Sequence, residues 1–156
     1  MIVKGLEEYG YDELAEKIAV NHVDNVFKIY EQTGTIWEFY QPDHIGVGIQ
    51  PGHNTRPDFA GWTANAPIKL FIEYKLGIHA NAPENSIIWK ITSPDRVGIK
   101  KLWFGGTTVD LICGRANSEG QRIVSVKTGK SFRLILKQDK KDLVKNIRKG
   151  SSKFVL

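Results

Sequence analysis

Cysteine is almost missing from this sequence. Cys113 stands alone among 156 residues, which excludes an internal disulfide. Its neighbours Val109, Leu111 and Ile112 are strand formers, so the thiol reads as a small buried hydrophobe rather than a nucleophile. No apolar run approaches the ~18 residues of a membrane span, and the opening MIVKGLEEYGYDEL lacks the apolar centre of a secretory signal. With Met1 as the true start, the expected compartment is the cytoplasm. The chain also has no phosphate loop, no GxGxxG, no Ser-His-Asp order and no CxxC, which removes the commonest nucleotide, hydrolase and redox signatures. No internal repeat is present.

What remains is an ordinary globular composition, with 41% hydrophobic and 25% charged residues. It has room for one domain or two small ones. The net charge of +5 is unevenly spread. From Lys127 onward ten Lys and Arg face two Asp, a balance of +8, so the preceding 126 residues carry −3. A partner for the basic end and a substrate for the rest are therefore separate questions. Arg96, Lys100, Lys101 and the tail lack interleaved aromatics and any nucleic-acid motif, so nucleic acid is not an expected partner.

The first strong element is a helix from Asp12, a candidate N-cap, to Gly34, a candidate C′ glycine. Leu14, Ile18, Val26 and Ile29 share one face, flanked by Ala15, Ala19, Val23, Phe27 and Tyr30. So wide a stripe calls for more than one helical neighbour. A second helix is expected from about Thr63 to Gly77, with Pro67 in its first turn. After Asn81-Ala82-Pro83 the period changes. Ser86–Ile91, Val97–Phe104, Thr107–Cys113, Gln121–Lys127 and Ser131–Leu136 read as about five strands of a small antiparallel sheet. Beyond Lys137, Leu143, Val144 and Ile147 suggest a short amphipathic turn in a frayed basic end. The expected class is α+β: a helical segment over 1–80 carrying a site loop, an antiparallel β domain over 81–137, and a basic tail over 138–156.

Between the helices lies the stretch with the most chemistry, GTIWEFYQPDHIGVGIQPGHNTRPDFAGW, residues 34–62. Pro42 stops any helix from continuing, and the irregular loop behind it is long enough to expect a function. Glu38 is flanked by Trp37, Phe39 and Tyr40. A carboxylate among aromatics suits a sugar site, because aromatic faces stack on pyranose rings and a partly desolvated acid can move protons. Glu38 is the candidate catalytic residue. Asp43 and Asp58 are weaker candidates for a second carboxylate. His44 and His53 with Asp43 match no metal-ligand spacing, so no metal is assigned and hydrogen bonding is their expected work. No cofactor is implied.

GTIWEFYQPD, then PGHNTRPDFAGWT, then the apolar segment APIKLFIEYKLGI together resemble the C-terminal part of trehalase-like glycoside hydrolases. The likeness is greatest to the mannosylglycerate hydrolase and processing α-glucosidase group of families 63 and 37. It implies an inverting hydrolase of α-glycosides on an (α/α)6 barrel, with Glu38 in the place of the general base. Phe59, Gly61 and Trp62 match a Phe-x-Gly-Trp segment, and Trp37, Tyr40, His53 and Arg56 would line the sugar pocket. The family's general acid has no counterpart here. The resemblance therefore implies a fragment holding the last helical hairpin of an incomplete barrel, whose missing N-terminal region could be supplied as a separate chain. The alternative is a non-catalytic carbohydrate-binding or protein-interaction module that uses the same aromatics.

Overall fold

The computed structural model describes residues 2–50, 53–59, 61–137 and 142–156, and of Gln50, His53 and Asn54 the backbone alone. The chain divides into two compact units, Met1–Lys75 and Leu76–Leu156.

The first unit is helical. Helix α1 (Ile2–Glu8), which the sequence did not announce, leads through a Gly10 turn into α2 (Asp12–Thr33). Asp12 is not the N-cap. Tyr11 takes that position, because its N–H is already committed to the Leu6 carbonyl at the end of α1. Asp12 and Glu13 instead sit in the first turn, where their charge suits the helix dipole. The C′ expectation holds: Gly34 adopts φ 72° and donates to the Tyr30 carbonyl at 2.7 Å.

Ala15, Ala19, Val23, Val26 and Ile29 are buried along α2, a narrower line than the sequence stripe. Leu14, Ile18, Phe27 and Tyr30 are exposed. Helix α3 (Trp62–Leu70) packs against α2 and widens into a π-helical turn, Phe71–Lys75. Pro67 is buried at the sixth helical position rather than in the first turn. It has no N–H for the Thr63 carbonyl, and the loosening that follows accords with the π turn. Lys75 closes the unit by pairing with Asp24 on α2 at 2.8 Å.

Among the described residues the second unit holds eight strands in two sheets, not five in one. Strands β10 (Gly150–Val155), β7 (Ile123–Thr128), β6 (Thr107–Cys113) and β5 (Val97–Phe104) form an antiparallel sheet in that order. The other sheet runs β3 (Ile78–Asn81), β4 (Ser86–Lys90), β8 (Phe132–Lys137), β9 (Leu143–Ile147), and its central β4–β8 pair is parallel. Period-two alternation puts Val109, Leu111, Val124 and Val126 of one sheet, and Ile87, Trp89, Leu134 and Leu136 of the other, into a dry core. The Phe104 and Phe132 rings, 5.6 Å apart, join the two inner faces. The basic end is thus a pair of strands. Leu143, Lys145 and Ile147 lie on one face of β9, and the Lys145 ammonium stands over the Phe154 ring at 5.7 Å. The α+β class holds.

Candidate active site

The long loop of the helical unit is folded around residues 36–41. On one side Glu38 donates its N–H to the Arg56 carbonyl at 3.0 Å, and Phe59 donates to Ile36 at 3.0 Å. On the other, Gly48 donates to Phe39 at 2.8 Å and Gln41 to Gly46 at 3.0 Å, around a Tyr40–Val47 bridge. The short pair β1 (Ile49–Gln50) and β2 (His53–Asn54) extends this hairpin, and the buried Thr55 hydroxyl caps it by donating to the Gly48 carbonyl. Gly48 has to be glycine, because a Cβ there would collide with the Phe39 backbone. These residues lack helical or strand periodicity, yet the backbone bonds of Glu38, Gln41, Gly48 and Phe59 tie the loop together. The loop is a built platform.

The platform orients the aromatics from both ends. The Trp37 indole N–H donates to Thr33 Oγ1 at 3.0 Å, on the last turn of α2, and its backbone N–H donates to the Tyr40 hydroxyl at 3.1 Å. Trp37 and Tyr40 therefore flank Glu38 as a fixed pair. Phe59 and Trp62 form a second pair, edge to face with centroids 5.2 Å apart, and Trp62 is 66% exposed. Threonine carries much of this, through Thr33, Thr35 and Thr55, which form no motif in the sequence. The only sequence signal was their spacing around the loop.

The three carboxylates of the loop differ in occupation. Asp58, held at φ 53°, accepts from the Thr35 hydroxyl at 2.7 Å and returns its own N–H to Thr35 Oγ1 at 2.8 Å. It is a turn clip. Asp43 is exposed and bonded to His44 Nδ1 at 2.7 Å. That hydrogen bond holds its carboxyl below the usual range, the opposite of what a general acid requires. Glu38 has no side-chain hydrogen bond among the described residues. Its side chain is 18% exposed, and its nearest cation is Arg56, with Nε 4.0 Å from Oε2. The Arg56 side chain itself is largely open to solvent. Of the candidates, the fold brings Glu38, Trp37, Tyr40 and Arg56 into one backbone-linked set, with Phe59 bonded in beside them. The His53 side chain lies outside the described ones. Among the described residues no cluster of three His, Cys, Asp or Glu could hold a metal ion.

Beside the platform, α2 and α3 enclose an apolar groove of about 340 Å³, lined by Val26, Phe27, Tyr30, Ile36, Pro67 and Phe71. It offers sugar hydroxyls nothing and suits a nonpolar side chain. Among the described residues no helix is long and apolar enough to cross a membrane.

Residues 1–75 match the Trehalase family model, and the match ends where the helical unit ends. An uncharacterized protein of Borreliella burgdorferi is 25% identical over 121 residues, a stretch longer than the helical unit. That stretch is 73% of this chain and 26% of the relative, so the chain spans about a quarter of the curated protein it matches. No solved structure matches. The part of the chain that is similar to the Trehalase family is thus the helical unit, which also holds Glu38.

Proposed function

We propose that this chain is the C-terminal part of an inverting glycoside hydrolase acting on α-glycosides, and that Glu38 is its general base. One observation carries the reading. Of the three loop carboxylates in the segment that matches the Trehalase model, Glu38 is part-buried and has no side-chain hydrogen bond among the described residues, while Asp43 and Asp58 are each bonded elsewhere. In the proposed reaction Glu38 takes a proton from a water whose oxygen attacks the anomeric carbon. The glycosidic C–O bond breaks, and the leaving oxygen receives a proton from an acid on another segment. Trp37, Tyr40, Phe59 and Trp62 supply ring faces, and Arg56, with the candidate His53, supplies hydroxyl donors. The (α/α)6 barrel belongs to this proposal. Its missing helices would cover Leu14, Ile18, Phe27 and Tyr30 and fill the apolar groove, as a longer chain or as a separate partner.

The test is turnover of trehalose, a nitrophenyl α-glucoside and mannosylglycerate by this chain, alone and together with the preceding coding region. Anomeric configuration is followed by proton NMR. Inverted product that appears with the added region and vanishes in Glu38→Gln supports the reading. Retained configuration, or undiminished turnover in Glu38→Gln, overturns it.

A second reading is favoured by the exposure of Trp62: a non-catalytic carbohydrate-binding module. In that case Trp62→Ala weakens sugar binding by about 1 kcal/mol while Glu38→Gln leaves it intact.

A further inference from the structure

The two units carry opposite charge. Residues 1–75 hold six Lys and Arg against eleven Asp and Glu, whereas 76–156 hold sixteen against six, a formal +10. Many cations of the sheet unit are spent on the fold. Arg122 donates to the Gly114, Ser93 and Asp95 carbonyls, Arg115 pairs with Asp95 at 2.9 Å, and Lys137 pairs with Asp142 at 2.7 Å. Lys100, Lys101, Lys127 and Lys153 differ. All four are exposed, and none has an ion-pair partner among the described residues.

Strand register gathers these four on the outer face of the β10-β7-β6-β5 sheet. Lys127 lies opposite Ser151 on one side and Asp110 on the other, and Lys153 lies opposite Ser125. A bulge between Ile99 and Leu102 sets Lys100 and Lys101 beside Asp110, whose Oδ1 accepts the Lys101 N–H at 2.8 Å. Trp103, 72% exposed, stands opposite Thr108 on the same face. Ser151, Lys127, Asp110 and the Lys100–Lys101 bulge therefore form one cross-strand row, with Lys153 and Ser125 in the row on one side of it and Thr108 and Trp103 on the other, while the exposed Ile123–Val155 pair lies beyond Lys153 and Ser125.

We propose that this face docks an acidic polysaccharide, its carboxylates meeting the four lysines and one sugar ring lying on Trp103. A single exposed aromatic is too few for the stacked bases of a nucleic-acid platform, whereas Ser125, Ser151 and Thr108 match sugar hydroxyls. Choosing a glycan over other polyanions rests on the glycoside hydrolase reading above. The charge of the face does not.

Affinity electrophoresis and calorimetry of the full chain test it, with polygalacturonate, neutral dextran and a single-stranded 20-mer DNA as probes. The expected result is retardation by polygalacturonate alone, weakening as salt rises. Lys127→Glu combined with Lys153→Glu should lower affinity at least tenfold, and Trp103→Ala roughly fivefold. These side chains are exposed, so unchanged melting curves will certify the variants. Glu38→Gln should bind polygalacturonate normally, which separates this proposal from the fate of the catalytic one. Equal or tighter binding of DNA, binding of dextran, no binding of polygalacturonate, or indifference to Trp103→Ala would each overturn it.

Discussion

Glu38 and Arg56 are joined twice: the Glu38 N–H donates to the Arg56 carbonyl at 3.0 Å, and the Arg56 Nε stands 4.0 Å from the Glu38 carboxylate. The backbone bond survives any change of side chain, so the two functions of this pair can be separated by mutation. Arg56→Ala should leave stability within about 0.5 kcal/mol, as expected for a largely exposed partner. On the proposed glycosidase reading, it should also weaken sugar affinity. Glu38→Gln should fold equally well and lower turnover by about 10²–10⁴-fold. Chemical denaturation alongside product assay checks both variants.

His22, half-buried on α2, has its pKa lowered from the ordinary 6.5 by desolvation. Above that value folded and unfolded chains are both neutral at this site. As pH falls below 6.5, the unfolded chain takes up a proton that the folded chain resists, so stability drains away until the lowered folded pKa is reached. His22→Gln should flatten this acid slope. Melting temperatures of both proteins from pH 7.5 to 4.5 would show it, and parallel curves would refute it.

Phe27 is 50% exposed and touches Phe71 at a ring separation of 6.0 Å beside the apolar groove. With Leu14, Ile18, Tyr30 and Ile68 also exposed, the helical unit offers an adhesive surface. The isolated chain should therefore self-associate as its concentration rises, and Phe27→Glu should shift it toward the monomer. Light scattering across a concentration series measures this directly.

Gly77 sits at φ 69°, where a Cβ would run into the Lys90 carbonyl oxygen. That carbonyl cannot retreat freely, because the Lys90 N–H is bonded to the Gly77 carbonyl at 2.9 Å. Gly77→Ala should cost about 2 kcal/mol or more, through both backbone strain and collision. Urea denaturation reads the loss. A neutral result would mean that β3 and β4 can separate at this point without penalty.

Helix α2 is legible because Ala15, Ala19, Val23, Val26 and Ile29 recur at helical spacing and Gly34 marks the stop. Glu38 stands out in the sequence because Trp37, Phe39 and Tyr40 flank it, and its catalytic role belongs to the proposal above. Other features were hidden for identifiable reasons. In β9 and β10 the alternating inner residues are Leu143, Lys145, Ile147, Ser152 and Phe154, so lysine and serine interrupt the apolar signal and the segment passes for a tail. The order of the loop was invisible because it rests on backbone hydrogen bonds and threonine hydroxyls, which leave no periodic trace. The lysine face leaves no trace in the sequence because Lys100, Lys127 and Lys153 are far apart there and meet only through strand register.

The parallel alignment of β4 with β8 has a kinetic consequence. Strands β5, β6 and β7 all lie between them in the chain, so the central pairing of that sheet requires a large loop to be closed. The β5-β6-β7 meander can assemble through neighbouring segments, and β8 then swings back to find β4. Refolding of the sheet unit should therefore be limited by this late, non-local closure rather than by helix formation in the other unit.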